Sequence, residues 1–340
     1  MVARRMKWGS ALGAIAAATA TAVGLLAPSA VASAAKPAVH KASYVSSAGG
    51  YNIKGKKVLL DIYDPASNSF FVPLENGAKL AAQMFGLNLT IDFADNSDST
   101  ATSQIKTAIA SHYAAVIAKT PDAAVANAAC AVVKAGIPFI AVNQTYSSPC
   151  ISTYIGQTEF SAGAEVASYM VQKGLIKKGD HVFCPVETPQ ESYAIGRRAG
   201  VDSVLGKLGI TCDELGTGDN QAPAKAAMVQ YLLGHKNTNV LIALGGTPLS
   251  EAVAATHEVG LKIPIGGFDL SFPSILTGLE NGGITVSINQ EPYAQGFDSV
   301  QEIALLLKYG VAPFNINTSD NALITSKNVK SLAPLVPNYQ

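Results

Sequence analysis

The sequence has few charged residues and no excess of charge of either sign. Charged residues make up 14% of the 340, and 24 Lys and Arg balance 24 Asp and Glu. Nothing therefore drives binding to a nucleic-acid backbone or an anionic membrane surface, because both need a basic excess. Hydrophobic residues reach 48%, so the chain is not disordered and can fill the cores of two ordinary domains.

The motifs of common catalytic and cofactor sites are also absent. The sequence contains no G-x-S-x-G, H-E-x-x-H or Walker pattern, and the five His residues are scattered. Gly216-Thr217-Gly218 lacks the third glycine of a dinucleotide loop, and no Cys spacing suits zinc. The sequence therefore predicts no catalytic residue, no metal site and no cofactor.

The N-terminus has the pattern of a secretory signal. Arg4, Arg5 and Lys7 precede an uncharged Ala-rich run from Leu12 to Leu26, and Ala32-Ser33-Ala34 is a small-residue cleavage site. The alternative is a retained membrane anchor, but the run is short for one. We predict a signal peptide over residues 1–34, cleaved near Ala34, then a flexible leader over residues 35–55. The first cysteine is Cys130, so we expect no lipid anchor.

The four cysteines of an exported chain can pair in three ways. Pairing Cys130 with Cys150 and Cys184 with Cys212 keeps each bond within one predicted lobe. Each bond would close a loop of roughly 20–30 residues and stabilise the fold by about 3 kcal/mol. Four buried free thiols are the alternative.

Apolar strand-like runs alternate with helical patterns from residue 56 onward. Ten predicted strands lie between Lys57 and Ile288, and the last long helix follows at Tyr293–Lys308. Strands separated by helices predict parallel sheets with right-handed crossovers, and ten strands suit two sheets better than one. The fold class is therefore α/β, with two doubly wound parallel-sheet lobes.

Open α/β sheets bind ligands beyond the carboxyl ends of their strands. Amides, carboxylates and aromatic rings follow the predicted strands of this chain. Planar polar groups can take paired hydroxyls, and aromatic faces can cover a sugar ring, so this set is typical of sugar recognition. The predicted ligand-binding residues are Asp64, Asn68, Phe70, Phe71, Asn143, Gln144, Glu187, Tyr193, Asn220, Asp269 and Gln290.

Several of these residues lie in six short motifs that are spread over residues 56–330. The motifs are Asn68-Ser69-Phe70-Phe71, Gly136 to Asn143, Ile155-Gly156-Gln157, Arg197-Arg198-Ala199-Gly200, Ile265 to Asp269, and Ser287 to Gln290 with Gly296. In order and spacing, they resemble the motifs of the type I periplasmic sugar-binding proteins, the ribose- and galactose-binding group of ABC transporters.

The resemblance implies two lobes joined by a three-crossing hinge, with the ligand between them. The expected first lobe is residues 56–156 with 291–318, and the expected second lobe is residues 157–290 with 319–340. Phe70 and Phe71 would stack on the ligand, and the polar residues of the predicted set would hydrogen-bond it. Ile195 and Gly245-Gly246 replace residues of the family's ribose clamp, which argues against ribose.

The expected function is capture of a sugar-like ligand outside the cytoplasm for import by an ABC permease. The expected protein is a monomer that is not an enzyme. The alternative is a ligand-sensing protein that signals through a membrane receptor kinase. An exported enzyme would need a nucleophile and a base at the cleft, and no His follows a strand. The signal-like N-terminus excludes a DNA-binding regulator of the same fold.

Overall fold

The computed structural model describes residues 52–319 and 323–332. The predicted signal peptide and residues 35–51 of the predicted leader lie outside these residues. Within the described ranges, no helix is both long enough and apolar enough to cross a bilayer.

The described chain alternates strands and helices as the sequence predicts. The strands are β1 Lys57–Ile62, β2 Asn88–Phe93, β3 Ala115–Ala118, β4 Phe139–Asn143, β5 Tyr154–Gly156, β6 His181–Val186, β7 Cys212–Gly216, β8 Thr238–Ile242, β9 Ile265–Phe268, β10 Val286–Ile288, β11 Ile316–Asn317 and β12 Leu323–Ile324. The helices are α1 Phe71–Phe85, α2 Asp98–Ala110, α3 Ala123–Lys134, α4 Glu159–Gln172, α5 Ser192–Leu205, α6 Gln221–Gly234, α7 Gly246–Glu258, α8 Pro273–Asn281, α9 Pro292–Tyr309 and α10 Val329–Leu332.

Two separate sheets share these strands. The first has the order β11-β5-β4-β3-β1-β2 and the second the order β12-β10-β9-β8-β6-β7. We call the first sheet with α1, α2, α3 and α9 the first lobe, and the second sheet with α4 to α8 and α10 the second lobe. All strand pairs are parallel except β10 with β12. Two doubly wound sheets confirm the predicted fold class.

Each sheet is covered by apolar side chains on both faces. On β1, Leu60 and Ile62 join the core cluster of α1 and α9, whereas Leu59 joins that of α2 and α3. This alternation is the two-residue period of a strand. The second sheet is likewise buried between one cluster with α4 and α5 and another with α6, α7 and α8.

One close helix pair in each lobe depends on glycine. A Cβ at Gly296 of α9 would overlap the Leu74 carbonyl oxygen of α1, and a Cβ at Gly200 of α5 would overlap the Phe160 carbonyl oxygen of α4. The two lobes therefore use the same packing solution.

The four cysteines form two disulfides, Cys130–Cys150 and Cys184–Cys212. Their Cα atoms are 5.0 Å and 5.8 Å apart, the normal range for a disulfide. One bond ties α3 to the segment before β5, and the other joins the neighbouring strands β6 and β7. Each stays within one lobe, which is the pairing that the spacing favoured.

The chain passes between the two sheets after β5, after β10 and between β11 and β12. The edge strands β11 and β12 were not predicted. Each has two residues, too few to show a strand periodicity. The expected division of the chain into lobes by residue number stays a prediction.

Candidate ligand-binding site

A cavity lies where segments beyond the strands of both lobes meet. It contains ≈ 510 Å³ of space not filled by atoms, part of it open to solvent, within the range of small-molecule sites, about 300–1,000 Å³. Its lining residues are Asp64, Asn68, Phe70, Phe71, Lys119, Asn143, Glu159, Glu187, Glu191, Tyr193, Arg197, Asp219, Gly245, Gly246, Thr247, Phe272 and Gln290.

Eight of the eleven predicted residues line this cavity, and both lobes contribute. The eight are Asp64, Asn68, Phe70, Phe71, Asn143, Glu187, Tyr193 and Gln290. The local sequence explains the position of Phe70 and Phe71. Asn68 accepts a hydrogen bond at Oδ1 from the backbone N–H of Phe70, 3.1 Å away, and so fixes the turn that starts α1.

The other three predicted residues lie outside the cavity lining. Gln144 is buried, and its Nε2 donates to Ser192 Oγ of the second lobe at 3.0 Å. Asn220 is exposed at the start of α6, and its neighbour Asp219 lines the cavity instead. A role in ligand binding for these residues stays a prediction.

Asp269, the third, lies directly behind the cavity wall. Its Oδ1 accepts hydrogen bonds from the backbone N–H groups of Leu270 and Ser271 and from the Ser271 hydroxyl. Its Oδ2 is buried without a hydrogen-bond partner among the described residues and lies against Gly246, which lines the cavity. Burial raises the pKa of Asp269, while the hydrogen bonds from Ser271 oppose that rise.

Asn143 and Asp269 share a backbone feature. Asn143 is the last residue of β4 and Asp269 directly follows β9, each the fourth strand of its sheet in chain order, and their φ angles are 63° and 97°. This left-handed region is unusual for residues other than glycine, although Asn and Asp adopt it more readily than most. Such backbone geometry is concentrated at ligand sites, so strained turns lie at matching places in the two lobes.

Four charged residues and one aromatic residue of the cavity are not among the residues predicted from the sequence. These are Lys119, Glu159, Glu191, Asp219 and Phe272. Lys119 directly follows β3, so the strand-end rule could have found it. Arg197 was noted only as part of a motif, although its side chain both lines the cavity and braces it.

The guanidinium of Arg197 connects three parts of the site. Its Nε donates to Glu159 Oε2 at 2.6 Å, its Nη1 to the Leu244 carbonyl at 2.8 Å, and its Nη2 to Gln290 Oε1 at 2.7 Å. Burial raises the pKa of Glu159, and the positive charge of Arg197 counteracts that rise. The predicted residue Gln290 is therefore held at the hinge by a buried cation.

Lys119 forms the second buried ion network. Its Nζ lies 2.5 Å from Asp64 Oδ2 and 3.7 Å from Glu191 Oε2 of the second lobe. Burial alone would lower the pKa of Lys119, but the negative charges of Asp64 and Glu191 raise it above its usual range. The ammonium also lies over the Phe71 ring, 5.3 Å from its centroid.

Glu187 differs from these groups because its partners are neutral. Its Oε2 accepts from the Tyr193 hydroxyl at 2.9 Å, and its Oε1 accepts from the backbone N–H of Thr247 at 2.8 Å. Burial raises the pKa of Glu187 to about 6, with a further upward contribution from Asp219. A Cβ at Gly245 would overlap the Glu187 carboxylate, so glycine is required for this arrangement.

Three polar contacts join the lobes around the cavity. They are the Lys119–Glu191 ion pair, the Gln144–Ser192 hydrogen bond, and a hydrogen bond from Asn96 Nδ2 to Asp219 Oδ2 at 3.1 Å. The structure therefore has the lobes in contact across the site, and Gln144 contributes to that contact.

The chain is similar in sequence to two sugar-binding proteins. The chain is 28% identical over 286 residues to the xylose/arabinose-binding protein XylF of Sulfolobus acidocaldarius, covering 78% of this chain and 70% of that protein. It is 22% identical over 228 residues to the ribose import binding protein RbsB of Bacillus subtilis, covering 66% of this chain and 73% of that protein.

Solved structures share the fold. A carbohydrate transporter from Acidothermus cellulolyticus in complex with myo-inositol has a TM-score of 0.76 at 21% identity, covering 84% of this chain and 99% of that one. A solute-binding protein from Burkholderia graminis in complex with D-arabinose has a TM-score of 0.74 at 22% identity, covering 82% and 98%. The family model of the periplasmic binding protein domain matches residues 62–310. With most of its length matched by that model and its two lobes built as described, the chain belongs to the periplasmic binding protein family.

Proposed function

We propose that this chain captures a sugar or sugar-like small polar molecule between its lobes and delivers it to an ABC-type permease. The observation that carries the proposal is the convergence of residues from both lobes on one cavity. Asn68 and Phe70 reach it from the first lobe, and Glu187 and Tyr193 reach it from the second. The named relatives bind or import pentoses, which supports the same ligand class here.

The chemistry of the cavity suits a polyhydroxylated ring. Carboxylates and amides accept and donate paired hydrogen bonds, and aromatic faces cover C–H surface. The cavity combines both kinds of group, with Phe70 and Phe71 packed edge to face at 4.9 Å between ring centroids. A ring with hydroxyls on its edge and C–H groups on its face would satisfy both.

The proposed action is binding without chemistry. Family members are substrate-binding proteins, and none of the described histidines lines the cavity. A ligand that contacts both lobes shifts the population toward the closed form, because only that form offers it both sets of contacts. The segments after β5 and β10 would absorb the hinge motion.

The place of action follows from the same proposal. The family works outside the cytoplasm, and we infer export through the signal peptide over residues 1–34 with cleavage near Ala34. We also infer a monomer with lobes at residues 56–156 with 291–318 and 157–290 with 319–340. The permease would contact the closed lobes.

A thermal-shift screen over pentoses, hexoses, inositols and nucleosides tests the ligand class. A molecule that binds the native state raises the midpoint of thermal unfolding in a concentration-dependent way. We expect a shift with at least one class of sugar or polyol. If no sugar or polyol shifts the midpoint at millimolar concentration, the saccharide assignment is wrong.

The variant Asn143→Gly tests the site itself. Glycine accepts the φ of 63° without strain, so the change removes the side-chain amide together with its hydrogen bond from Nδ2 to Gln295 Oε1 at 3.1 Å. We expect ligand affinity to fall about tenfold, the equivalent of one hydrogen bond of about 1.4 kcal/mol. His112→Gly is the matched control, because His112 is exposed, away from the cavity, and has a φ of 54°. Equal affinity of both variants for the ligand would remove Asn143 from the site.

A further inference from the structure

The cavity lining has more carboxylates than cations. Its five acidic residues face only two basic residues, an excess of three carboxylates over cations. The acidic residues are Asp64, Glu159, Glu187, Glu191 and Asp219, and the basic residues are Lys119 and Arg197. A neutral ligand would leave this excess of negative charge in a partly buried site.

Both cations are already engaged by protein carboxylates. Lys119 pairs with Asp64 and reaches Glu191, and Arg197 pairs with Glu159. Glu187 and Asp219 have no Lys or Arg within ion-pair distance in the described part of the chain. These two carboxylates account for two of the three excess negative charges, and the third arises because Lys119 is shared by Asp64 and Glu191.

The two lobes differ at the position where a cation could stand. In the first lobe, the segment after β3 supplies Lys119 to Asp64, the carboxylate that follows β1. In the second lobe, the segment after β8 supplies Gly245 and Gly246, and Glu187 after β6 lies against Gly245. Among the described residues of the second lobe, Glu187 therefore has no cation at the place where the first lobe supplies Lys119 to Asp64.

A second, independent observation points to a cationic guest. The Oδ2 of fully buried Asp269 has no hydrogen-bond partner among the described residues, and it lies against Gly246, which lines the cavity next to Gly245 and Glu187. Phe272 approaches Gly246 from the same side and lines the cavity, as does Tyr193. Carboxylates combined with aromatic faces are the surroundings that an ammonium group prefers.

We propose that the ligand is a sugar or cyclitol bearing a protonated amine, and that the ammonium group lies against Glu187 and Asp219 in place of the missing protein cation. This inference rests on the proposed function and narrows its ligand class. The hydroxyls of the same ligand would meet the polar groups of the first lobe, and the amine would bind the second. A neutral sugar would lack the one group that balances the second lobe's charge.

Calorimetric titration at pH 7 with three matched sets of compounds tests this inference. The first set is the amines D-glucosamine, D-galactosamine and an aminocyclitol. The second set is their parent hydroxyl compounds, and the third is their N-acetyl derivatives, which keep the nitrogen but lose the charge. We expect at least one amine to bind about tenfold or more tighter than its neutral parent, as a charged hydrogen-bonded pair requires. N-acetylation should remove that advantage.

The outcomes separate the two proposals. If neutral sugars bind as tightly as every amine or more tightly, the amine inference is wrong and the sugar-binding function stands. If no compound of any set binds, the amine inference is wrong, and the sugar-binding function is decided separately by the screen over pentoses, hexoses, inositols and nucleosides. If titration with sodium or potassium chloride alone gives the same binding signal as the amines, the uncompensated carboxylates hold an inorganic cation, and the amine inference is again wrong.

The variant Glu187→Gln locates the charge. This change preserves the shape of the side chain, and it should lower the ratio of amine affinity to parent affinity to about one. The control Glu280→Gln, at an exposed residue of α8, should leave that ratio unchanged. The wild-type ratio should also fall as pH drops through about 6, because Glu187 of the free protein takes up a proton there. A ratio unchanged in Glu187→Gln would overturn the assignment.

Discussion

Replacing Arg197 with Met should destabilise the protein far more than the same change at the adjacent Arg198. Arg197 is 3% exposed and holds Glu159, the Leu244 carbonyl and Gln290 with three hydrogen bonds of 2.6 to 2.8 Å. Its guanidinium carbon also lies 4.4 Å from the centroid of the Phe268 ring. Methionine keeps much of the stem and loses all of the polar contacts.

The magnitude follows from what the change leaves behind. Glu159, 14% exposed at its side chain, would lose the cation that offsets its burial. Breaking a buried ion pair by removing one partner costs about 3–5 kcal/mol of unfolding free energy. Arg198 pairs instead with Asp202 at the surface, where side chains are 26% and 32% exposed. Exposed pairs contribute about 0–1 kcal/mol.

Urea unfolding followed by far-UV circular dichroism at pH 7 measures both variants under the same conditions. We expect Arg197→Met to lose about 3 kcal/mol or more and Arg198→Met to lose less than about 1 kcal/mol. A loss below about 1 kcal/mol at both positions would refute the view that Arg197 braces the site. Arg197→Lys should recover only part of the lost unfolding free energy. A lysine ammonium lacks the planar arrangement of donors with which the guanidinium reaches all three acceptors at once.

Two further changes test the packing and the charge of the core. Gly296→Ala should lower the free energy of unfolding by about 1–3 kcal/mol, because its methyl group would overlap the Leu74 carbonyl oxygen. The control Gly234→Ala, whose methyl group would enter open space, should leave stability unchanged or raise it. Equal effects of the two changes in thermal melting would contradict the close packing of α1 and α9. Burial, with Asp92 nearby, raises the pKa of Asp61 from 3.8 to about 8, so the folded state holds the extra proton and stability falls as pH rises between those values. Asp61→Asn should stabilise the protein increasingly from pH 4 to pH 8, and a pH-independent difference from the wild type would show that Asp61 is ionised in the fold.

The fold was largely predictable because its strands are buried on both faces. Such strands are apolar runs between helical patterns, and β1 at Lys57–Ile62 and β6 at His181–Val186 are two of them. The edge strands β11 and β12 carry no comparable signal, because sheet pairing rather than periodicity defines them. The antiparallel pairing of β12 with β10 likewise depends on the path of the chain after β11, which local sequence does not encode.

The site was predictable where a side chain stands at the carboxyl end of its strand. Asn143 is the last residue of β4 and Glu187 directly follows β6, and both line the cavity. Gln144 and Asp269 stand at similar positions, but their side chains make protein contacts that only the folded structure reveals. Lys119 was overlooked because a lysine after an apolar run usually marks the surface, and here two carboxylates, one from each lobe, surround it.

The central claim is that one guest molecule is held by both lobes at once. Calorimetric titration of the tightest ligand from the sugar screen into Asn143→Gly, from the first lobe, and Tyr193→Ala, from the second, tests it most directly. Each variant, still folded by circular dichroism, should bind at least about fivefold more weakly than the wild type. Undiminished affinity in either variant would mean that one lobe alone holds the ligand.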